Sequence, residues 1–417
     1  MAEDDIRGSL IDGKVTSEYG SQEQAKDGKF NKLFWAVSML FSGTLTTIFA
    51  KSLFETSAKG SDYCNLDDDV DKYCTFNKPW FTVLVMKLAM TMCLLFYYVF
   101  GWGNNPNTPR PSWSTIKAVL LPASLDLLNT TLGNVGLLWV NSSIYQMTRG
   151  SVVIFSAFLS VKYLHRTLRS FHYWSIFFVL IAVILVGLAG IETSDSGSGG
   201  SQVIIGLMFI LMAQLVTALQ FIVEEKLMND AKTTLDPVAL VGFEGLWGLL
   251  MFAVLAPILT YTPRSSEDLS IVWHEDFGDT FVQLSNSSAL CGLTFGYFCA
   301  ILMYNVAANF VTQCLSAVVR SILEACRVMG VWIVCLGFFY TVHNDTIGEK
   351  WSNWSYLELF GFSILMYGTF CYKGLLKIPW VDPYVYELAE NDAKEAEALN
   401  RGEATAYDNL STNDSNI

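Results

Sequence analysis

Repeated apolar runs dominate the sequence, and each is long enough to cross a membrane as a helix. A helix needs roughly 20 consecutive apolar residues to span the hydrocarbon core of a bilayer. Charged residues make up only 16% of the chain and apolar residues 52%. The pattern therefore predicts an all-α, multi-pass membrane protein with about ten transmembrane helices. The runs are 33–53, 81–102, 117–140, 142–164, 171–190, 202–225, 237–260, 290–312, 314–340 and 356–372.

The distribution of Lys and Arg predicts how the chain is oriented. Sixteen of these residues lie in the tails and the even-numbered connections, against five in the opposite loops. Basic residues are concentrated on the cytosolic side of membrane proteins. Both termini are therefore predicted to be cytosolic. The polar stretch 1–32 has no apolar core of the kind a cleavable signal peptide requires, so the first run is expected to act as the insertion signal.

A linker-like stretch, ETSDSGSGGS at 192–201, divides the apolar runs into two sets of five. A five-helix unit followed by another must insert with opposite orientation, which predicts an inverted repeat. The predicted organisation is a cytosolic N-terminal tail at 1–32, a first half at 33–190 and a lumenal linker at 191–201. A second half follows at 202–376, and an acidic cytosolic tail at 377–417.

Several apolar runs contain polar or charged side chains at helical spacing. In the fourth run Ser142, Gln146, Arg149, Ser156 and Ser160 recur at steps of three and four, interrupted only by Val153, so they form one stripe. Ionisable residues inside a membrane segment are costly and mark functional sites by default. The ninth run repeats the pattern with Ser316, Arg320, Glu324 and Arg327, and the third and eighth runs add Asp126, Asn129, Asn305 and Asn309.

Two interpretations of these charges remain open from the sequence. One is a set of structural salt bridges that fix helix register, with Asp126 or Glu244 paired to Arg149 and Glu324 paired to Arg320 or Arg327. The other is a water-filled central cavity lined by the third, fourth, eighth and ninth helices. Charges near run ends, namely Lys51, Glu224 and Glu225, are expected to reach the membrane interface.

The favoured interpretation is the cavity, with some pairs serving structure and some the solute. Cationic side chains mixed with amides favour an anionic or zwitterionic solute, and acids in the same cavity can take protons and couple transport to a pH gradient. The candidate substrate-binding residues are Asp126, Asn129, Gln146, Arg149, Glu244, Asn305, Arg320, Glu324 and Arg327.

The predicted lumenal loops contain further candidate features. Cys64 and Cys74 flank an acidic run on the side where a disulfide can persist, although so short a loop can also leave both thiols free. Asn286, Asn344 and Asn353 begin sequons and are candidate glycosylation sites. The nine cysteines form no CxxC pair and the four histidines are scattered, so neither a metal site nor a cofactor is predicted.

Four blocks in order resemble the drug/metabolite transporter superfamily, and within it solute carrier family 35, most closely its F-type subgroup related to nucleotide-sugar transporters. They are YQMTRGSVVIFSAFLS at 145–160, MAQLVTALQFIVEEKL at 212–227, GFEG at 242–245 and LSAVVRSILEACRVMGVWIV at 315–334. The chain is more distantly similar to the chloroquine-resistance type of vacuolar transporter. The GALNK-type sequence of Golgi guanosine-sugar carriers is absent, so a nucleotide sugar is a family-level expectation only.

This resemblance implies a ten-helix inverted-repeat carrier that works by alternating access on a small solute, in an endomembrane. The lysosome or vacuole is favoured over the Golgi. In the C-terminal tail, Tyr407 and Leu410 fit a tyrosine-based sorting signal, which would make adaptor proteins partners. The net charge of −13 argues against nucleic acid as a partner.

Two other classes of protein were weighed against a carrier. An enzyme would need a nucleophile with its base, a metal cluster or paired catalytic carboxylates, and none occurs at a suitable spacing. A non-transporting receptor or scaffold, recruiting partners through acidic tails, would explain the C-terminal tail. It would leave the polar stripes on at least four helices unexplained.

Overall fold

The structure is a computed structural model of the chain. It describes residues 31–61, 73–76, 78–101, 111–137, 148–164, 168–193, 200–229, 235–262, 274–342, 351, 353–372, 374–389 and 391. Nearly all of these residues are helical, because a helix satisfies every backbone N–H and C=O inside lipid without help from another segment.

The helices follow one another with few other elements between them. The first part of the chain forms α1 (Asn31–Glu55), α2 (Pro79–Val99), α3 (Trp113–Ala118), α4 (Leu120–Leu137), a 3₁₀ turn (Arg149–Ser151), α5 (Val152–Leu164) and α6 (Ser170–Thr193). The second part forms α7 (Gly200–Asn229), α8 (Pro237–Tyr261), α9 (Phe277–Asn286), α10 (Ser288–Cys314), α11 (Ala317–Gly337) with a π-helical turn (Phe338–Val342), and α12 (Ser355–Tyr372).

Each of the ten predicted apolar runs coincides with one of these helices, which confirms an all-α, multi-pass membrane protein. Six helices in the described part, α1, α2, α7, α8, α10 and α11, are long and apolar enough to span a bilayer by themselves. The fourth run is described only from Thr148 onward, where a 3₁₀ turn precedes α5. The number of crossings and the side of the termini stay predictions.

Helices at the same position in the two halves pack against each other. The pairs are α2 with α8, α5 with α11 and α6 with α12, and the α4–α7 contact joins the halves as well. Such pairing of equivalent helices is what a twofold relation between the halves predicts. The predicted linker is shorter than expected, because α6 extends to Thr193 and α7 begins at Gly200.

Four small elements between the long helices, two strands and two short helices, were not predicted. Strands β1 (Ser57–Lys59) and β2 (Tyr73–Thr75) pair antiparallel, with Ala58 opposite Cys74. These strands have three residues each, which is too short to show an alternating pattern. Cys74 is disulfide-bonded, whereas Cys64 lies outside the described residues. The other two elements are the short helices α3 and α9.

Close contact between α2 and α8 depends on a glycine. A Cβ atom at Gly245 of α8 would lie 2.4 Å from the backbone nitrogen of Thr91 on α2. Small residues let membrane helices approach closely, so their packing and interhelical contacts improve. Gly292, near the start of α10, makes a useful comparison because a Cβ there would meet nothing within 4 Å.

We expect Gly245→Ala to lower the stability of the folded protein by about 1–3 kcal/mol, because the added methyl group forces α2 and α8 apart. The measurement is the melting temperature of purified protein in detergent. Gly292→Ala is the matched control. It should leave the melting temperature unchanged or raise it slightly, since alanine favours a helix over glycine by up to about 1 kcal/mol. Equal effects of the two substitutions would contradict the packing account.

Candidate functional site

A cavity of about 600 Å³ lies among α1, α2, α4, α7, α10 and α11, with the Arg149 turn and the start of α5 completing its wall. Small organic ligands occupy sites of roughly 300–1,000 Å³, so the volume suits a small solute. Both halves of the chain contribute. The Asp, Glu, Lys and Arg side chains that line it are Asp126, Arg149, Arg320, Glu324 and Arg327.

The two ends of the cavity differ. At one end the lining reaches Phe54 at the end of α1, Pro79 at the start of α2 and His274 before α9. At the other end, where α7 finishes and α8 begins, apolar side chains of α2, α7 and α8 form a buried cluster that includes Tyr97 and Met228. The cavity lining therefore extends toward one face of the bundle, and closely packed apolar side chains lie toward the other.

The structure brings together seven of the nine predicted substrate-binding residues. Glu244 does not line the cavity, which corrects the prediction: its side chain is only 1% exposed and lies behind Gln220, which does line it. Gln146 lies outside the described residues. The seven that line the cavity are Asp126, Asn129, Arg149, Asn305, Arg320, Glu324 and Arg327.

Asp126 on α4 forms an ion pair with Lys87 on α2. The Lys87 side chain is 1% exposed, whereas Asp126 is 17% exposed and faces the cavity. A buried ammonium group without an acid beside it would be strongly unfavourable. Asp126 therefore neutralises a buried cation and also presents a carboxylate edge to the cavity.

Arg320 on α11 is held from several sides at the cavity wall. Its guanidinium pairs with Glu224 of α7, donates to the Thr312 hydroxyl at 3.3 Å and lies 4.0 Å over the Phe221 ring. Its Nε atom is buried and has no hydrogen-bond partner among the described residues. Glu224 was expected at the interface but is completely buried, because α11 places Arg320 beside it.

The Glu324 carboxylate interacts with two arginine side chains and one tyrosine hydroxyl. Arg327, one turn along α11, donates to it from Nη2 at 2.9 Å and from Nε at 3.1 Å. The Tyr304 hydroxyl on α10 also donates to Glu324. Arg149 comes from the first half, with Nη2 at 3.8 Å from Glu324 Oε2 and 31% of its side chain exposed. Arg149 is therefore the most accessible of these cations.

Glu224 and Glu244 share one donor. The Gln220 side-chain nitrogen donates to Glu224 Oε1 at 2.8 Å and to Glu244 Oε1 at 2.9 Å. Because both oxygens contact the same nitrogen, the two carboxyl groups lie close together. Glu225, also expected at the interface, is buried elsewhere and accepts the N–H of Ala317 at the start of α11.

Of the salt bridges suggested by the sequence, the structure contains some and not others. Glu324 does pair with Arg327, because residues three apart on one helix are neighbours. Neither Asp126 nor Glu244 pairs with Arg149. Asp126 forms its ion pair with Lys87, and Glu244 accepts a hydrogen bond from Gln220. Same-helix pairs follow from spacing, whereas pairs between helices depend on how the helices pack.

The far part of the fourth-run stripe contacts protein and not the cavity. Ser156 is fully buried and lies 2.9 Å from the Ser321 hydroxyl of α11. Ser160 is 1% exposed. Small hydroxyl side chains of this kind hold membrane helices together. The stripe therefore has two uses, a cavity wall near Arg149 and a helix contact beyond it.

A polar cluster holds the mouth of the cavity. Glu275 accepts the backbone N–H groups of Trp80 at 2.8 Å and Phe81 at 2.7 Å, so it satisfies the start of α2. Lys78 pairs with Asp279 of α9 at 3.0 Å. Burial raises the pKa of Glu275 to about 7, against the opposing effect of the two N–H donors and Lys78.

Comparison with known proteins identifies the family. A family model described as nucleotide-sugar transporter matches residues 110–251. Solute carrier family 35 member F6 of Homo sapiens is 30% identical over 350 residues, which is 82% of this chain and 89% of that protein. The chain belongs to solute carrier family 35. Member F6 of Pongo abelii is 30% identical over 351 residues, covering 83% of this chain and 89% of that protein. An uncharacterized protein of Schizosaccharomyces pombe is 33% identical over 259 residues, covering 62% of this chain and 74% of that protein.

As a solute carrier 35 protein of the F subgroup, this chain is a solute transporter and not an enzyme. The matched stretch includes Asp126, Arg149 and Glu244, whereas the α11 residues Arg320 and Arg327 lie beyond it. Within the described residues, no three His, Cys, Asp or Glu side chains come together in a group able to hold a metal ion.

Sequence reasoning missed several groups in this solute carrier 35 site. Lys87 lies in the second apolar run, and its partner cannot be identified from the sequence. Tyr304 and Tyr297 line the cavity from α10, and a tyrosine in an apolar run gives no signal by itself. The contribution of α1 was missed as well: Thr47 accepts a hydrogen bond from Arg327 Nη1 at 2.9 Å. A face of small hydroxyl residues on α1 was the available signal.

We expect Lys87→Met to reduce the yield of folded protein severely, since it leaves the Asp126 carboxylate without its cation, a loss of about 3–5 kcal/mol. The double variant Lys87→Met/Asp126→Asn removes both charges and should recover most of the stability. Size-exclusion profiles and melting temperatures of detergent extracts measure both effects. A double variant no more stable than Lys87→Met would contradict the pairing.

The Glu275 carboxyl predicts a pH dependence of stability. Its pKa in the folded protein, about 7, lies above the ordinary value of 4.5, so the folded state binds the proton more tightly than the unfolded state does. Stability from this group therefore rises as pH falls from about 7 to about 4.5, on the order of 3 kcal/mol at most. Glu275→Gln cannot titrate. We expect the difference in melting temperature, wild type minus Glu275→Gln, to increase as the pH is lowered from 8 to 5. A pH-independent difference would contradict the assignment.

Proposed function

We propose that this protein is a secondary-active transporter that works by alternating access, with its two five-helix halves as inverted repeats. The single observation that carries the proposal is the polar cavity between the halves, whose lining extends toward one face of the bundle while an apolar cluster lies toward the other. Alternating access requires a central site that one set of contacts closes at a time. Direct contacts between equivalent helices of the two halves support a mechanism in which one half rocks against the other.

The Lys and Arg distribution supports cytosolic termini, and this orientation places the cavity mouth on the lumenal side. α1 then runs from the cytosol to the lumen, so Phe54 at its end lies at the lumenal face beside Pro79 and His274. The apolar cluster around Tyr97 and Met228 lies at the cytosolic face. We therefore propose that this arrangement is a lumen-facing state of the transporter.

The proposed solute is a small anionic or zwitterionic metabolite. Three arginines line the cavity, and Arg149 has nearly a third of its side chain accessible. Two acids, Asp126 and Glu324, line it too, and each is already beside a cation. Arginine binds carboxylates and phosphates through paired N–H groups. The nucleotide-sugar transporter match supports a nucleotide-sugar-like solute as one member of this class.

The proposed location is an endomembrane, with the lysosome or vacuole favoured, and family membership supports an endomembrane. The sorting signal at Tyr407 and Leu410 lies outside the described residues, so adaptor binding stays a prediction. The sequon at Asn344 lies outside them too. Of the other sequon residues, Asn353 is exposed, whereas the Asn286 side-chain nitrogen donates to the Lys59 carbonyl at 2.7 Å.

Reconstitution into liposomes tests the proposal. The purified chain is given a radiolabelled panel of nucleotide sugars, nucleotides, amino acids and organic acids. We expect saturable uptake of an anionic or zwitterionic member, accelerated by the same solute inside the vesicle. Arg149→Ala should reduce that uptake about tenfold or more, because a hydrogen bond to a charged group contributes about 1.5–3 kcal/mol.

Lys162→Ala is the matched control for Arg149→Ala, because it removes a cation from the exposed end of α5 and does not touch the cavity. It should transport like the wild type. Full activity of Arg149→Ala would remove Arg149 from the solute site. Uptake of no panel member by folded protein would favour a non-transporting scaffold, and flux without saturation would favour a channel.

A further inference from the structure

Glu244 is a deeply buried carboxyl group with an unusual environment. It is 1% exposed, and the hydrogen bond it accepts comes from the neutral amide of Gln220. Among the described residues, no Lys, Arg or His nitrogen lies within the 4 Å of an ion pair with it. An isolated ionised carboxylate is very unfavourable in an apolar interior, whereas the neutral acid is not.

The charged groups that face Glu244 come from four other helices. They are Glu224 on α7, Lys87 on α2, Asp126 on α4 and Arg320 on α11. Lys87 is paired with Asp126, and Arg320 is paired with Glu224. When two carboxyl groups share one site, the second charge is strongly disfavoured. Binding of a proton to one of the two carboxyl groups removes this second charge.

The charges of the Lys, Arg, Asp and Glu side chains that line the cavity, together with those of their ion-pair partners and Glu244, balance in the described part of the chain. The buried Glu225 is outside this set, because it does not line the cavity and accepts the Ala317 N–H. The bases are Lys87, Arg149, Arg320 and Arg327, and the acids are Asp126, Glu224, Glu244 and Glu324. The adjoining stretch 138–147, outside the described residues, contains no Asp, Glu, Lys or Arg. This site is neutral when Glu244 is ionised and has a net charge of +1 when Glu244 is protonated.

An independent feature of the cavity wall points to an anion. The Nε–H of Arg320 has no hydrogen-bond partner among the described residues, although the side chain is only 4% exposed and lines the cavity. Buried donors are normally satisfied by protein, water or a ligand. A carboxylate or phosphate oxygen of a solute is the partner that a guanidinium N–H favours.

Resting on the proposed transport function, we infer that Glu244 binds one proton that is carried together with one solute of net charge −1. The empty site with ionised Glu244 and the loaded site with protonated Glu244 plus the anion are then both neutral. Only these two states avoid a net charge during the transition between the two faces, when the site is closed to water. Gln220, which lines the cavity, separates Glu244 from it by a single side chain.

The test is Glu244→Gln, which imitates the protonated acid at every pH. Radiolabelled lactate and glutamate, each of net charge −1, are the anionic probes, followed by any other anion of the panel that exchanges. An acidic exterior should accelerate wild-type uptake, and a potassium–valinomycin potential should leave it unchanged. Glu244→Gln should exchange the anion between the two sides, because the loaded site is neutral. It should lose net uptake about a hundredfold, since the empty site keeps a charge of +1.

A second measurement detects the proton bound to Glu244 and does not require transport activity. Infrared difference spectra between neutral and acidic pH are recorded on protein in liposomes that carries Glu275→Gln, because Glu275 titrates near pH 7 and would add its own carbonyl band. These spectra should show the carbonyl band of a protonated carboxylic acid. Glu244→Gln should lose that band. Glu324→Gln, the control, should keep it, because Glu324 is held ionised between Arg149 and Arg327.

The two measurements separate failure of the inference from failure of the proposed function. Three results would each overturn proton–anion coupling but leave the proposed transport function intact. They are net uptake by Glu244→Gln with wild-type pH dependence, a carbonyl band that survives in Glu244→Gln, and transport of neutral and cationic solutes only. Transport of no probe by folded protein would end both the transport function and the coupling.

Discussion

Pairing of buried charge is the constraint on which the rest of the structure depends. An unpaired ion in the interior of a membrane protein is so unfavourable that each buried base must find an acid. Lys87 finds Asp126 within the first half, and Arg320 finds Glu224 within the second. These pairs fix α2 against α4 and α7 against α11. These ion pairs act within each half, in addition to the packing contacts of α2 with α8 and of α4 with α7 that join the halves.

Contacts across the cavity are of a different kind. Arg149 of the first half approaches Glu324 of the second at 3.8 Å, longer than the 2.9 Å contact that Arg327 makes to the same carboxyl group within α11. Ser156 and Ser321 meet through hydroxyl groups. These weaker polar contacts across the cavity lie beside the extensive packing of α2 against α8, α4 against α7 and α6 against α12, which joins the two halves. The cluster around Glu275 adds a contact at the cavity mouth that responds to pH near neutrality.

Spacing along single helices predicted much of the site, and partners between helices were not predicted. Arg320, Glu324 and Arg327 follow helical spacing, so their common face could be read directly, and seven candidate residues do surround one cavity. The position of Glu224 near a helix end suggested the interface, but it is fully buried against Arg320. Nothing in a linear pattern tells which residue of a distant helix will lie opposite.

The sequence by itself determined the all-α membrane architecture, the apolar runs that become helices and the faces on which polar groups lie. These are consequences of helix period and of the low dielectric of lipid, which act on each segment separately. The tertiary structure alone decided which acid meets which base. It also placed Glu244 behind Gln220 and turned the outer serines of the fourth run into a helix contact. Those outcomes depend on how helices pack, and packing depends on the fit of whole surfaces, such as the glycine face of α8 against α2.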